Sequence, residues 1–270
     1  NRFFMTRLKA IIFAIVIMIY IPSSYAQGYV SSLEQSKKYQ HCLKLVEEDP
    51  AAAISFSQEW RLEGGAVAAQ HCQALSLYEQ DKFVEAASLF DTIVDNLTNG
   101  ENVNTFALAN KELLIIQLNY LSGLAWRSAG EYDKAYNVIS ASIIDLAPQS
   151  IYAYDLYIER GFIQVLRNDP LDAIKNFTLA LEIDATNIDA FLYRAESYRK
   201  TKEHLKARLD LNAALTIDPN HPDLLFESGI NYRLQSRNAE ARLEWSKLID
   251  KYPGTKWQKL AEDNIDLIEE

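Results

Sequence analysis

Gly161, Ala195 and Gly229 stand 34 residues apart, and so do Ala173, Ala207 and Ala241. One short unit has therefore been written three times in succession. A unit of this length holds two helices and a turn, and two helices cannot bury their own apolar faces. Neighbouring copies must stack into a solenoid, whose main product is an extended concave surface.

Set side by side as 154–187, 188–221 and 222–255, the copies bring small and large residues into register. The eighth place is Gly161, Ala195 or Gly229 and the twentieth is Ala173, Ala207 or Ala241. Minimal side chains there let helix backbones approach to roughly 8–10 Å. Phe177, Leu211 and Trp245 share the twenty-fourth place as gap fillers. Pro219 and Pro253 share the thirty-second, where a helix-breaking ring suits the turn to the next unit.

This pattern resembles the tetratricopeptide repeat over nearly the whole chain. Gly123, Trp126, Gly130, Tyr132, Ala135 and Pro148 fit a unit at 116–149, followed by four extra residues. Ala74, Phe83, Ala86 and Phe90 place a unit at 67–100, and Leu43, Ala52 and Phe56 a degenerate one at 33–66. The family's tryptophan at the fourth place is replaced by Asn119, Tyr157, Phe191 and Leu225. The resemblance implies an all-α, right-handed α-solenoid of antiparallel helix pairs. Residues 27–32 read as a linker, and the polar run Asp95–Asn104, followed by an extra helical stretch before Gln117, reads as an insertion at 101–115. Such an insertion either contacts a partner or is a solvated loop. Trp257, Leu260, Ala261, Asn264, Ile265 and Ile268 recur at helical spacing, so 256–270 is predicted to be a capping helix with a polar outer side.

Arg7 and Lys9 precede an uninterrupted apolar run, Ala10–Ile21, then Pro22 and Ser24-Tyr25-Ala26. Twelve apolar residues fall short of a bilayer span of about 20, and the small-residue end predicts a secretory signal cleaved after Ala26. Met5 is the natural start of such a signal, with Asn1–Phe4 upstream of it. An uncleaved anchor is the alternative. No cysteine follows the cleavage site, which argues against a lipid anchor. The expected location is the periplasm of a bacterium, where the sequons at Asn96 and Asn176 carry no meaning.

The chain has 27 basic and 37 acidic residues, a net charge of −10. Loss of Arg2, Arg7 and Lys9 with the signal leaves 24 basic residues, a net charge of about −13. Nucleic acid and anionic membrane are poor partners for such a surface, since phosphate binding needs clustered Lys and Arg. A protein or peptide partner is expected, with no membrane span after cleavage.

The two cysteines, Cys42 and Cys72, each follow a histidine, His41 and His71. A four-ligand metal site is disfavoured because adjacent helical residues point about 100° apart. In the repeat register both cysteines lie on first helices of neighbouring units, which suits a disulfide in an oxidising compartment. Two buried free thiols are the other reading. His204 and His221 sit alone in turns, and no phosphate loop, H-E-x-x-H helix or G-x-S-x-G elbow occurs. No catalytic residue, cofactor or small-molecule substrate is expected.

In the tetratricopeptide family the concave face is lined by recurring places of each first helix. The resemblance assigns the fifth place to Tyr120, Ile158, Leu192 and Phe226, and the ninth to Leu124, Phe162, Glu196 and Ile230. The second place is Asp155, Asp189 and Asp223, and the twelfth Arg127, Arg199 and Arg233. A groove with an apolar floor, one acidic rim and one basic rim follows, fitted to an amphipathic helix or extended peptide. Acids at a helix start and bases at its end also complement the helix dipole, so the same columns have a purely structural explanation.

Overall fold

A computed structural model describes residues 26–100, 111–144, 146–148 and 150–269. The signal segment and residues 101–110 of the insertion lie outside the described residues. Contacts divide the chain between Ala129 and Gly130 into two compact units. The first holds α1 (Ala26–Glu48), α2 (Pro50–Leu62), α3 (Ala66–Glu79), α4 (Phe83–Asn99) and α5 (Lys111–Ser128). The second holds α6 (Tyr132–Ile144), α7 (Ile151–Leu166), α8 (Pro170–Ile183), α9 (Ile188–Lys200), α10 (His204–Ile217), α11 (Pro222–Leu234), α12 (Asn238–Lys251) and α13 (Lys256–Glu269). Within each unit successive helices pack side by side, as the repeat demands.

The helix starts are written locally. Asp49, Asp169 and Asn187 accept hydrogen bonds from the backbone of Ala52, Asp172 and Ala190, and Pro50, Pro170 and Pro222 occupy first helical positions. The helix ends carry a regularity that residue types conceal. Asp81, Gly130, Asn168, Lys202 and Ser236 all stand at the fifteenth place, and all have φ between 57° and 80°. Only Gly130 adopts that left-handed conformation without steric cost. The others are held there by the turn: Lys82, Asp169, Glu203 and Arg237 each donate a backbone hydrogen bond of 2.7–3.0 Å to a carbonyl five residues back.

The core follows the small and large columns. Ala173, Ala207, Ala241, Ala195, Phe177, Leu211 and Trp245 are all fully buried, as are Ala86 and Ala135 upstream. Tyr157 and Leu225 stand buried where the family has tryptophan. In α13, Ala261 is buried, with Trp257, Ile265 and Ile268 packed on the same cluster while Glu262, Asp263 and Asp266 face outward.

Several boundaries differ from the sequence reading. Residues 27–32 are not a linker but the first turns of α1. Asp95–Asn99 is helical, because Phe90, Ile93 and Leu97 continue the buried stripe of α4, and Gly100 ends that helix at φ 75°. The extra helical stretch before Gln117 is helical as expected, but it is no separate element: residues 111–115 open α5, which at 18 residues is longer than the 13 of α9 or α11. The four extra residues before Tyr154 become the Ser150 cap and an added turn of α7. In the first unit the register slips by one: Ala53 and Ser57 are buried rather than Ala52 and Phe56. The cause is that α1 runs to Glu48 at the sixteenth place, whereas α3, α7 and α9 end at the thirteenth, so that even with Asp49 alone as the join α2 starts one place late.

Candidate binding site

Cys42 on α1 and Cys72 on α3 form a disulfide, with Cα atoms 6.2 Å apart. Their sulfurs are therefore committed to each other rather than to a metal. The flanking histidines diverge. His41 meets Phe56 edge-on at 4.9 Å between centroids, whereas His71 is buried with its Nδ1 2.7 Å from the Tyr39 hydroxyl. Burial pushes the His71 imidazole down to about 4. His204 opens α10 and His221 precedes α11; both are half-buried rather than exposed in turns.

The first helices of the second unit, α7, α9 and α11, lie against one another in order. They present the columns assigned to the groove, while Tyr120, Leu124 and Arg127 sit on α5 of the first unit. Half-buried on these helices are Tyr120, Arg127, Asp155, Phe162, Asp189, Glu196, Arg199, Asp223, Phe226, Ile230 and Arg233. Leu124, Ile158 and Leu192 are not available as a groove floor: they are 2%, 4% and 4% exposed. Ile158 belongs to the cluster around Phe177 and Leu192 to that around Leu211, because the fifth place turns toward the second helices.

At the C-terminal end the columns are already engaged. Phe226 meets Trp257 of α13 at 6.1 Å, Ile230 packs in the same cluster, and Arg233 donates to Asn264. The capping helix therefore covers the columns of the last repeat that were expected to line the groove. Phe162 is likewise supported, edge-on to Tyr193 at 4.5 Å and to Phe177 at 5.6 Å.

The predicted basic rim is also altered. Arg199 donates to Glu227, a buried carboxylate on α11 that sequence reasoning missed. Glu227 occupies the sixth place, outside the groove columns, and no local pattern marks it. Glu196 stands one turn from Arg199 yet has no hydrogen bond or ion pair among the described residues. Burial pushes its carboxyl up to about 7; Glu227 adds to the shift, and Arg199 and Lys200 oppose it. The dipole explanation fits Asp189 and Asp223, which lie in first turns, and Arg199 and Arg233, which lie in last turns. It does not fit Asp155, since α7 begins four residues earlier at Ile151.

A second set of polar contacts runs within and between the repeats. At the seventh place Arg160 donates to Asn176 at 2.7 Å, and Arg194 grips Asp210 through two bonds of 2.7 Å while reaching Thr178 of the preceding repeat. The third copy has Ser228 there. Arg208 from the preceding repeat takes over, donating to the Ser228 hydroxyl and carbonyl and lying 3.8 Å over the Tyr232 ring. In the first unit Asp91 accepts from both Ser122 and Trp126, joining α4 to α5.

The arrangement is that of a tetratricopeptide-type helical repeat protein, and solved structures agree. A tetratricopeptide repeat protein from Parabacteroides merdae superposes with a TM-score of 0.65 at 16% identity, covering 87% of this chain and 86% of that one. PilF of Pseudomonas aeruginosa gives 0.63 at 14% identity, covering 85% and 97%. YrrB, described as a TPR protein with an unusual peptide-binding site, gives 0.54 at 15%, covering 84% and 97%. Human DnaJ homolog subfamily C member 7 is 25% identical over 214 residues, 78% of this chain and 40% of that protein, so the chain spans about two-fifths of its relative. No family model matches the chain. Among the described residues no helix is long and apolar enough to cross a membrane.

Proposed function

We propose that this protein is a non-enzymatic scaffold of the bacterial periplasm that holds a segment of a partner protein on the face made by α7, α9 and α11. The observation that carries the reading is the stacking of these first helices with Asp155, Phe162, Asp189, Glu196 and Asp223 half-buried along them. Side chains of this kind have part of their area still to bury. The peptide-binding site in the name of YrrB is in keeping with this use of the fold. The basic residues and apolar run before Ala26 support export across the inner membrane.

A second reading uses the opposite face. Leu171, Leu205, Leu209 and Leu243 project from α8, α10 and α12 and are between 59% and 76% exposed. Such a row suits a structural subunit that packs through its second helices. A photo-reactive residue placed at Asp189, and separately at Leu205, tests both in intact cells. A defined protein captured from Asp189 but not from Leu205 supports the first-helix face. Capture from Leu205 alone sinks it in favour of the second.

A further inference from the structure

The first-helix face has a charge imbalance with a particular location. Asp189, Leu192, Glu196 and Arg199 follow one another at intervals of three and four residues, which places them on one stripe of α9. Of the two bases that follow Glu196 at three and four residues, Arg199 is taken by Glu227 of the neighbouring helix and Lys200 is exposed, with no ion pair to Glu196 among the described residues. Glu196 is left with no hydrogen bond or ion pair among the described residues. Its neighbours in the ninth column, Phe162 on α7 and Ile230 on α11, are half-buried and apolar. The ninth column thus reads Phe162, Glu196 and Ile230, with Ile230 already packed against α13, and Asp189 and Asp223 add further negative charge at the second place.

We propose that the segment held on this face is cationic: it presents a Lys or Arg side chain to Glu196, flanked by apolar residues that cover Phe162. This rests on the first-helix face being the binding surface. The inference is one of charge complementarity. A half-buried carboxylate lacking a partner disfavours ionisation, and an incoming ammonium or guanidinium relieves that cost while its stem lies along apolar surface. An acidic segment meets the opposite balance, since Asp189, Glu196 and Asp223 all repel it. The net charge of −10 draws a basic partner in from a distance, and Glu196 fixes where its charge docks.

The test is selection of random dodecapeptides displayed on phage against the wild-type protein, with the selected peptides then titrated by fluorescence anisotropy. The expected result is enrichment of Lys or Arg beside apolar residues, with binding weakened about tenfold or more by Glu196→Gln and unchanged by Leu209→Glu on α10. Circular dichroism and a thermal melt establish that each variant is folded. Basic peptides that bind Glu196→Gln as well as wild type overturn the docking point. Peptides without a basic bias that still lose affinity in Asp189→Lys overturn the cationic partner but leave the face intact as a binding surface. Failure to select any peptide removes both.

Discussion

Gly229 on α11 lies directly beneath the indole of Trp245 on α12: a Cβ built at Gly229 would fall 2.2 Å from Nε1 of that ring. The same pair of places reads Gly161 with Phe177, where the added Cβ would be 2.6 Å from the ring, and Ala195 with Leu211, which share one buried cluster. In these three copies the eighth and twenty-fourth places therefore vary together in size, glycine under an aromatic ring and alanine under leucine, whereas Ala74 with Phe90 and Gly123 with Ile139 upstream do not follow the rule. Each of the three keeps its helices at contact distance by a different division of the same volume.

Gly229→Ala should destabilise the second unit by about 2 kcal/mol, because the indole is fully buried and its Nε1 donates to the Phe226 carbonyl, leaving it little room to move. Trp245→Leu alone leaves a cavity and should cost about 3 kcal/mol. Combined, the two recreate the Ala195 and Leu211 pair, so the double variant should be more stable than the sum by 1 kcal/mol or more, on the order expected for residues in contact. Urea titration of the four proteins measures the coupling, and strict additivity would refute the size match.

Asp210→Ala should be among the most damaging polar substitutions. Arg194, whose side chain is 16% exposed, would lose both of its carboxylate bonds and remain an uncompensated charge between two repeats. The expected loss is about 3 kcal/mol. By contrast, Glu203→Ala removes an exposed partner of Lys206 and should leave the melting temperature unchanged within error.

The disulfide closes a loop of 30 residues between α1 and α3. Its removal by Cys42→Ser with Cys72→Ser should destabilise the first unit by roughly 3 kcal/mol on the chain-entropy estimate. Calorimetry on the oxidised and reduced protein should show a lower transition for the first unit and no change in the second. A single unchanged transition would argue that the bond adds nothing to the fold.

The first unit should also be acid-labile through His71. Its imidazole titrates near 4 in the fold against 6.5 in an open chain, because burial disfavours the cation. A depressed value means that its contribution is fully present above pH 6.5 and is lost as the pH falls toward 4. The shift corresponds to about 3 kcal/mol between those limits. Melting temperature measured from pH 7 to pH 4 should fall more steeply in the wild type than in His71→Phe, which has nothing to protonate. Equal slopes would place the acid sensitivity elsewhere.

Much of this was legible along the chain. The 34-residue period, the Gly and Ala columns, the large residues facing them and the stripe of α13 all reflect packing between helices that are adjacent in sequence. Such contacts leave a period behind. The cysteine pairing was readable for the same reason, since the repeat register set Cys42 and Cys72 on neighbouring first helices. The slipped register of the first unit was not, because it depends on how far α1 runs before the Asp49 join, and the left-handed fifteenth place was hidden by the variety of Asp81, Asn168, Lys202 and Ser236.

The sequence by itself determined the repeat, its helix pairs and the stripe that caps them, because a fixed spacing of small and large side chains admits one stacking. The tertiary structure alone decided which of the expected groove columns are buried in the core and which are not. Whether Leu192 is floor or core, and whether Arg199 is a free rim charge or the counter-ion of Glu227, depends on how far each first helix is rotated against its neighbours. That rotation is set by packing across the whole stack, and it leaves no local mark on the chain.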